Sequence, residues 1–175
     1  MSDTGAAESG SAATRPGSDF NAAYVAAWNS HDADGVLGFM TSDVVYDHPA
    51  WPVTMRGHGE VRLFMQAGWR TFPDLRFEVI EGPYLLGQDK AAFWWRGTGT
   101  MTGLMDPPGF APTGKRWEAY GADFTEYREG RLSRLRAIID VADVSQQLGL
   151  MPSPGSRGER VSVAMQRLAV RFTRR

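Results

Sequence analysis

The 175-residue chain is 42% hydrophobic, 11% aromatic and 22% charged, with a formal net charge of −1. That balance belongs to one soluble globular domain and not to a disordered, fibrous or nucleic-acid-binding chain. No cysteine occurs, which excludes disulfides, thiolate nucleophiles and Cys-ligated metals. No apolar run approaches the roughly 18 residues of a membrane span, and no basic start followed by an apolar stretch marks a signal peptide. A cytoplasmic location is therefore expected, with neither nucleic acid nor membrane as a partner.

Residues 1–17 are small, polar and rich in Gly, Ala and Ser. They cannot bury enough apolar surface to offset the entropy of ordering, so they are expected to form a disordered lead. Ser18-Asp19 is an N-cap signal, and Phe20, Tyr24, Ala27 and Trp28 follow at helical spacing. His31-Asp32-Ala33-Asp34 restarts a shorter helix through Val36, Leu37 and Met40, and DVVYDHP reads as a brief strand stopped by Pro49. Gly57 to Phe72 is a third helix, with Val61, Phe64, Met65 and Trp69 along one stripe.

From Leu75 the pattern turns from helical to alternating: LRFEVIE, KAAFWWRGTGTMT, KRWEAYGADFTEY and RLSRLRAIID, separated by Gly, Pro and Asp turn signals. Four strands in succession predict an antiparallel meander, and helices before sheet predict an α+β fold with helices on one face of a curved sheet. Val141 to Leu148 is a last short helix stopped by Gly149. Residues 18–152 make the domain. The tail, 153–175, holds six Arg against one Glu; it spaces Val161, Met165, Leu168 and Phe172 as an amphipathic basic helix would.

Asp140 ends the last strand and precedes the short helix. Its position favours an N-cap, and it also fits a desolvated acid/base at the edge of a greasy cavity; the two roles are not exclusive. Alternation puts Arg134, Arg136, Ile138 and Asp140 on one face of that strand, against Ser133, Leu135, Ala137 and Ile139 on the other. Tyr46, His48 and Trp51, from DVVYDHPAW, and Tyr120 are further candidate substrate-binding residues beside Arg136. His31, His48 and His58 form no metal-ligand spacing, so no metal is expected. The glycines of RGTGTMTG lie within a strand and match no nucleotide loop, and no GxSxG elbow is present.

Taken in order, WNSHD (28–32), YDHP (46–49), FPDLRFEV (72–79), GT followed by Gly103, PTGK, EGRL, and Asp140 seven residues before QLG resemble the SnoaL-like polyketide cyclases of the nuclear transport factor two-like superfamily. The resemblance spans about Phe20 to Leu150. It implies a cone-shaped α+β barrel closed by helices around a deep apolar pocket, a homodimer, and chemistry without a cofactor. It assigns Asp140 as acid/base in an intramolecular aldol ring closure of a hydrophobic poly-carbonyl molecule. Two other readings stand beside this one. Epoxide opening would need a second carboxylate near Asp140 and Arg136, from Asp123 or Glu126. A non-catalytic binding module would be marked by Asp140 lying exposed as a cap.

Overall fold

A computed structural model describes residues 18–173; the expected disordered lead lies outside them. Helix α1 (Ser18–Asn29) is followed by α2 (Ala33–Gly38), β1 (Met40–Asp47), β2 (Met55–Arg56) and α3 (Gly57–Thr71). The long strands β3 (Arg76–Leu86), β4 (Lys90–Thr100), β5 (Arg116–Arg128) and β6 (Arg131–Ile139) come next, then α4 (Val141–Gln147) and α5 (Arg157–Thr173). The aromatic stripe predicted for the first helix packs inward: Tyr24 and Trp28 are buried, and Phe20 meets Phe39 and Tyr127 edge-on. Asp32 caps α2 by accepting from the amide of Gly35 at 2.9 Å, which satisfies one of the donors a helix start leaves open.

The six strands run β2-β1-β6-β5-β4-β3. The predicted meander is present, since β3 to β6 pair antiparallel with each neighbour in turn. Glu129 and Gly130, both at positive φ, make the β5–β6 hairpin turn, as a two-residue loop following the right-handed strand twist requires. The strand expected around DVVYDHP does not extend the meander; it lies parallel to β6. Alternation within one segment carries no information about which strand it will pair with.

The sheet has two edges, β2 and β3, and is not closed, which corrects the barrel expected from the resemblance. Closure would need those two edges to pair, and the two-residue β2 is too short to start such a ladder. Helices α1 and α3 instead cover the concave face. The inward row of β5 is Trp117, Ala119, Gly121, Asp123, Thr125 and Tyr127, and its outward row is Glu118, Tyr120, Ala122, Phe124 and Glu126. Beyond Gly121, β6 no longer pairs with β5. There the Gln147 side chain of α4 takes over, its amide accepting from the Glu118 N–H and donating to the Glu118 carbonyl, each at 2.9 Å. One side chain thus covers an open strand edge and fastens α4 over that end of the sheet.

Candidate active site

Between the concave face and the helices lies a cavity of ≈ 380 Å³. Its wall is mostly aromatic and aliphatic, with Trp28, Phe64, Phe93, Trp95, Trp117 and Ile139 among the lining side chains. Among the described residues, neither Lys nor Arg lines it. Such a wall suits an uncharged, largely apolar molecule held by a few polar groups.

One of those groups is Asp123, only 7% exposed, set in an inward row that is otherwise apolar or hydroxylic. Strand register puts it between Phe93 of β4 and Ala137 of β6. Its Oδ1 accepts from the indole N–H of Trp95 at 2.9 Å. That contact depends on a glycine. Trp95 pairs with Gly121 across the ladder, and a Cβ on Gly121 would collide with the indole ring. The bare backbone lets the ring lie flat across β5 and carry its N–H to the carboxyl two residues on. Burial pushes the Asp123 carboxyl up to about 7, with the Trp95 hydrogen bond pulling in the opposite direction. Near neutral pH both its protonated and ionised forms are populated.

Tyr24 and Tyr46 are fully enclosed nearby. Burial first, and the Asp123 charge second, hold both phenols well above their ordinary range, so they stay protonated. His48 stands on the cavity wall against the rings of Tyr46 and Phe64. Desolvation pushes it down to about 4, so the ring is neutral at pH 7. Its Nδ1 accepts from the amide of Ala50 at 3.1 Å, which leaves the proton on Nε2 and makes that atom a donor.

The predicted site residues divide into two groups. Tyr46, His48 and Trp51 line the cavity. Asp140, Arg136 and Tyr120 do not: all three are exposed, on the convex side of the sheet or at its end. Asp140 is the N-cap of α4, accepting from the Asp143 N–H at 2.9 Å. Arg136 lies 3.5 Å from Asp47, which Arg134 also pairs at 3.1 Å. Tyr120 tilts against Trp94. The correction has one cause. Alternation grouped Arg134, Arg136, Ile138 and Asp140 together, but the cavity lies on the other side, with Ala137 and Ile139. Asp123, which the sequence offers only as a second carboxylate for epoxide opening, is the strand carboxylate that enters the cavity, while Glu126 turns outward to Lys90. Its signal in the sequence is a charge in the same alternating row as Trp117, Ala119, Gly121 and Tyr127.

The SnoaL-like domain model matches residues 21–135, whereas a search of curated proteins returns no match. Among solved structures, IdmH, a candidate polyketide cyclase from Streptomyces antibioticus, is 26% identical at a TM-score of 0.62, covering 75% of this chain and 97% of its own. AclR, a candidate hydroxylase from Streptomyces galilaeus, is 23% identical at 0.61, covering 88% and 92%. SalBIII, an epoxide hydrolase/cyclase-like enzyme of pyran ring formation in the polyether salinomycin, is 15% identical at 0.60, covering 71% and 91%. With the family model spanning most of the domain and the α+β architecture agreeing with it, this chain belongs to the SnoaL-like domain family.

Proposed function

We propose that the chain is a cofactor-independent cyclase acting on a hydrophobic, poly-carbonyl molecule of the polyketide type, with Asp123 as its acid/base. The observation that carries this reading is the Asp123 carboxyl, buried in a largely apolar cavity that no Lys or Arg of the described residues lines, and poised near neutrality; the other lining carboxylate, Asp106, is exposed. Such a group can take a proton and return it at the same pH, the requirement for a one-residue acid/base cycle.

The steps follow from that. Ionised Asp123 removes a proton from a carbon between two carbonyls, leaving an enolate. The enolate carbon forms a bond to a second carbonyl carbon of the same molecule, and that carbonyl oxygen becomes an alkoxide. Protonated Asp123 returns its proton to the alkoxide, giving a ring bearing a hydroxyl; no atom is gained or lost. The neutral His48, through Nε2–H, is suited to hydrogen-bond the enolate oxygen without first transferring its proton. The enclosing aromatic wall keeps a flexible chain folded with its ends close, which removes much of the entropy cost of ring closure.

A direct test uses hydrogen–deuterium exchange at the central carbon of an aryl 1,3-diketone in D₂O, followed by NMR. The protein should accelerate exchange above buffer, and Asp123→Asn should lower the acceleration about 10²–10⁴-fold. Equal acceleration by both proteins would contradict the assignment. Epoxide opening through an Asp/Arg network draws no support from the geometry, because Arg134 and Arg136 both lie outside the cavity. An exposed cap at Asp140 would by itself favour a non-catalytic binder; Asp123 is the acid/base of this reading in its place.

A further inference from the structure

A second cleft, of ≈ 320 Å³, lies against the first cavity. Asp47, Val53, Thr54, Arg136 and Ala137 line it, and its wall shares His48, Pro49 and Trp51 with the cavity that holds Asp123. Strand pairing explains the gap. The ladder between β1 and β6 stops at Asp47 and Arg136, whereas β6 stays paired with β5 as far as Ile139. From His48 to Thr54 the chain swings away from the sheet before β2 returns to pair with β1. Residues Ala137 to Ile139 therefore have no ladder partner on that side. The cleft opens there, beside the inward row at Ala137 and the outward row at Arg136.

Charge in this cleft does not balance. Asp47 accepts from the Thr54 hydroxyl at 2.6 Å through one oxygen and from Arg134 at 3.1 Å through the other. Those hydrogen bonds, Thr54 first, hold its carboxyl below the ordinary range, so it is ionised. Arg136 comes third, 3.5 Å from the oxygen that Arg134 already holds, and it donates no hydrogen bond to any of the described residues. Two guanidinium charges thus meet one carboxylate, a net of +1. His48 on the shared wall is neutral at pH 7 and does not cancel it. The Arg136 side chain is 58% exposed, so its planar fork of donors is open to a ligand. A carboxylate, which accepts two parallel hydrogen bonds, is the group that fits such a fork.

We propose that this cleft binds a carboxylate end of the substrate through Arg136, while the carbonyl-bearing remainder lies in the cavity against Asp123. The proposal rests on the cyclase reading and narrows its substrate to a poly-carbonyl acid. Spacing agrees with it. Asp123 on β5 pairs with Ala137 on β6, the chain neighbour of Arg136, and the cleft lies on the far side of β6. Two strand spacings, about 10 Å, therefore separate the proton-transferring carboxyl from the cleft, a span within one small molecule. The cavity offers the anion no competing partner, since no Lys or Arg of the described residues lines it. With an anchor at one end only, the molecule enters in one direction, and that direction decides which of its carbons lies against Asp123.

The uncharged diketone of the exchange assay does not engage this site, so the test needs a matched pair of probes. Both are aryl 1,3-diketones of one skeleton; one carries a carboxylate on an alkyl arm about 10 Å from the central carbon, and the other carries its methyl ester. Binding to the full-length protein is followed by tryptophan fluorescence, Trp51 standing in the shared wall. The acid should bind about 10-fold more tightly than the ester, as a charge-assisted pair at a half-exposed site implies. Arg136→Gln should bring the acid to the level of the ester, and Arg136→Lys, which keeps the charge without the fork, should restore part of the difference. An acid bound no more tightly than its ester would overturn the proposal, as would a preference that outlasts Arg136→Gln. A preference for the acid with no acceleration of exchange would support the anion site and contradict the acid/base role of Asp123.

Discussion

The two faces of β5 and β6 are built from the same residues in alternation, yet their chemistry is opposed. The outer face of this strand pair carries Arg134, Arg136, Glu118 and Glu126, whose charges meet oppositely charged partners in or near water. The inner face carries one charge-bearing group, Asp123, and enclosure changes its behaviour altogether. Exposed ion pairs contribute little to stability. A lone buried carboxyl is costly when ionised, and that cost is what holds its proton on near pH 7. Number of charges therefore says less about reactivity than which face a charge is on.

Substitutions that move a group between those two regimes should separate them. The largest effect is expected from Asp123→Asn, in the carbon-acid exchange described above and also in stability. The carboxyl of the unfolded chain ionises near pH 3.8, but in the folded protein it holds its proton to about 7. The unfolded state thus binds fewer protons across that window, and this group's contribution to stability falls as pH rises from about 4 to 7. The difference between Asp123→Asn and the unmodified protein should be small at pH 4 and reach about 4 kcal/mol in favour of the variant at pH 8. Urea unfolding at both pH values measures it. His48 acts with the opposite sign. Its folded value is depressed to about 4, so its contribution is full above pH 6.5 and is lost as pH falls through 6.5 to 4. In the Asn variant this rise with pH should stand uncovered.

Gly121→Ala comes next. Its new Cβ meets the Trp95 ring, so the ring shifts and the hydrogen bond to Asp123 is lost. A destabilisation of about 1–3 kcal/mol is expected, with slower exchange, and with an altered pH profile that a purely structural defect would not produce. Asp140→Ala should remove only a helix cap, at about 1 kcal/mol, and leave exchange untouched. Arg136→Ala, which breaks an exposed ion pair, should change both readouts least.

Much of this was legible in the sequence. Period changes gave the meander and α1 to α4, and the order of short motifs gave the family. The tail's spacing gave α5. Pairing partners were not legible, which is why β1 beside β6, parallel to it, and the open edges at β2 and β3 came only from the structure. The site was half legible for a similar reason. Alternation sorts β6 into two rows but does not say which row faces the cavity: Ile139 lines it, while Arg136 stands in the outward row and Asp140, expected there from the resemblance, caps α4. Tyr120, expected in the pocket, stands in the outward row of β5. The better rule was available in β5, where one carboxylate sits in a row of Trp, Ala, Gly and Tyr: the apolar row is the buried row, and a charge inside it carries the chemistry.

The central claim can be measured without a substrate. The carboxyl carbon shift of Asp123, followed by NMR from pH 4 to 9 and assigned with Asp123→Asn, should titrate with a midpoint near 7. A midpoint near 4, the value of a carboxylate in water, would contradict it.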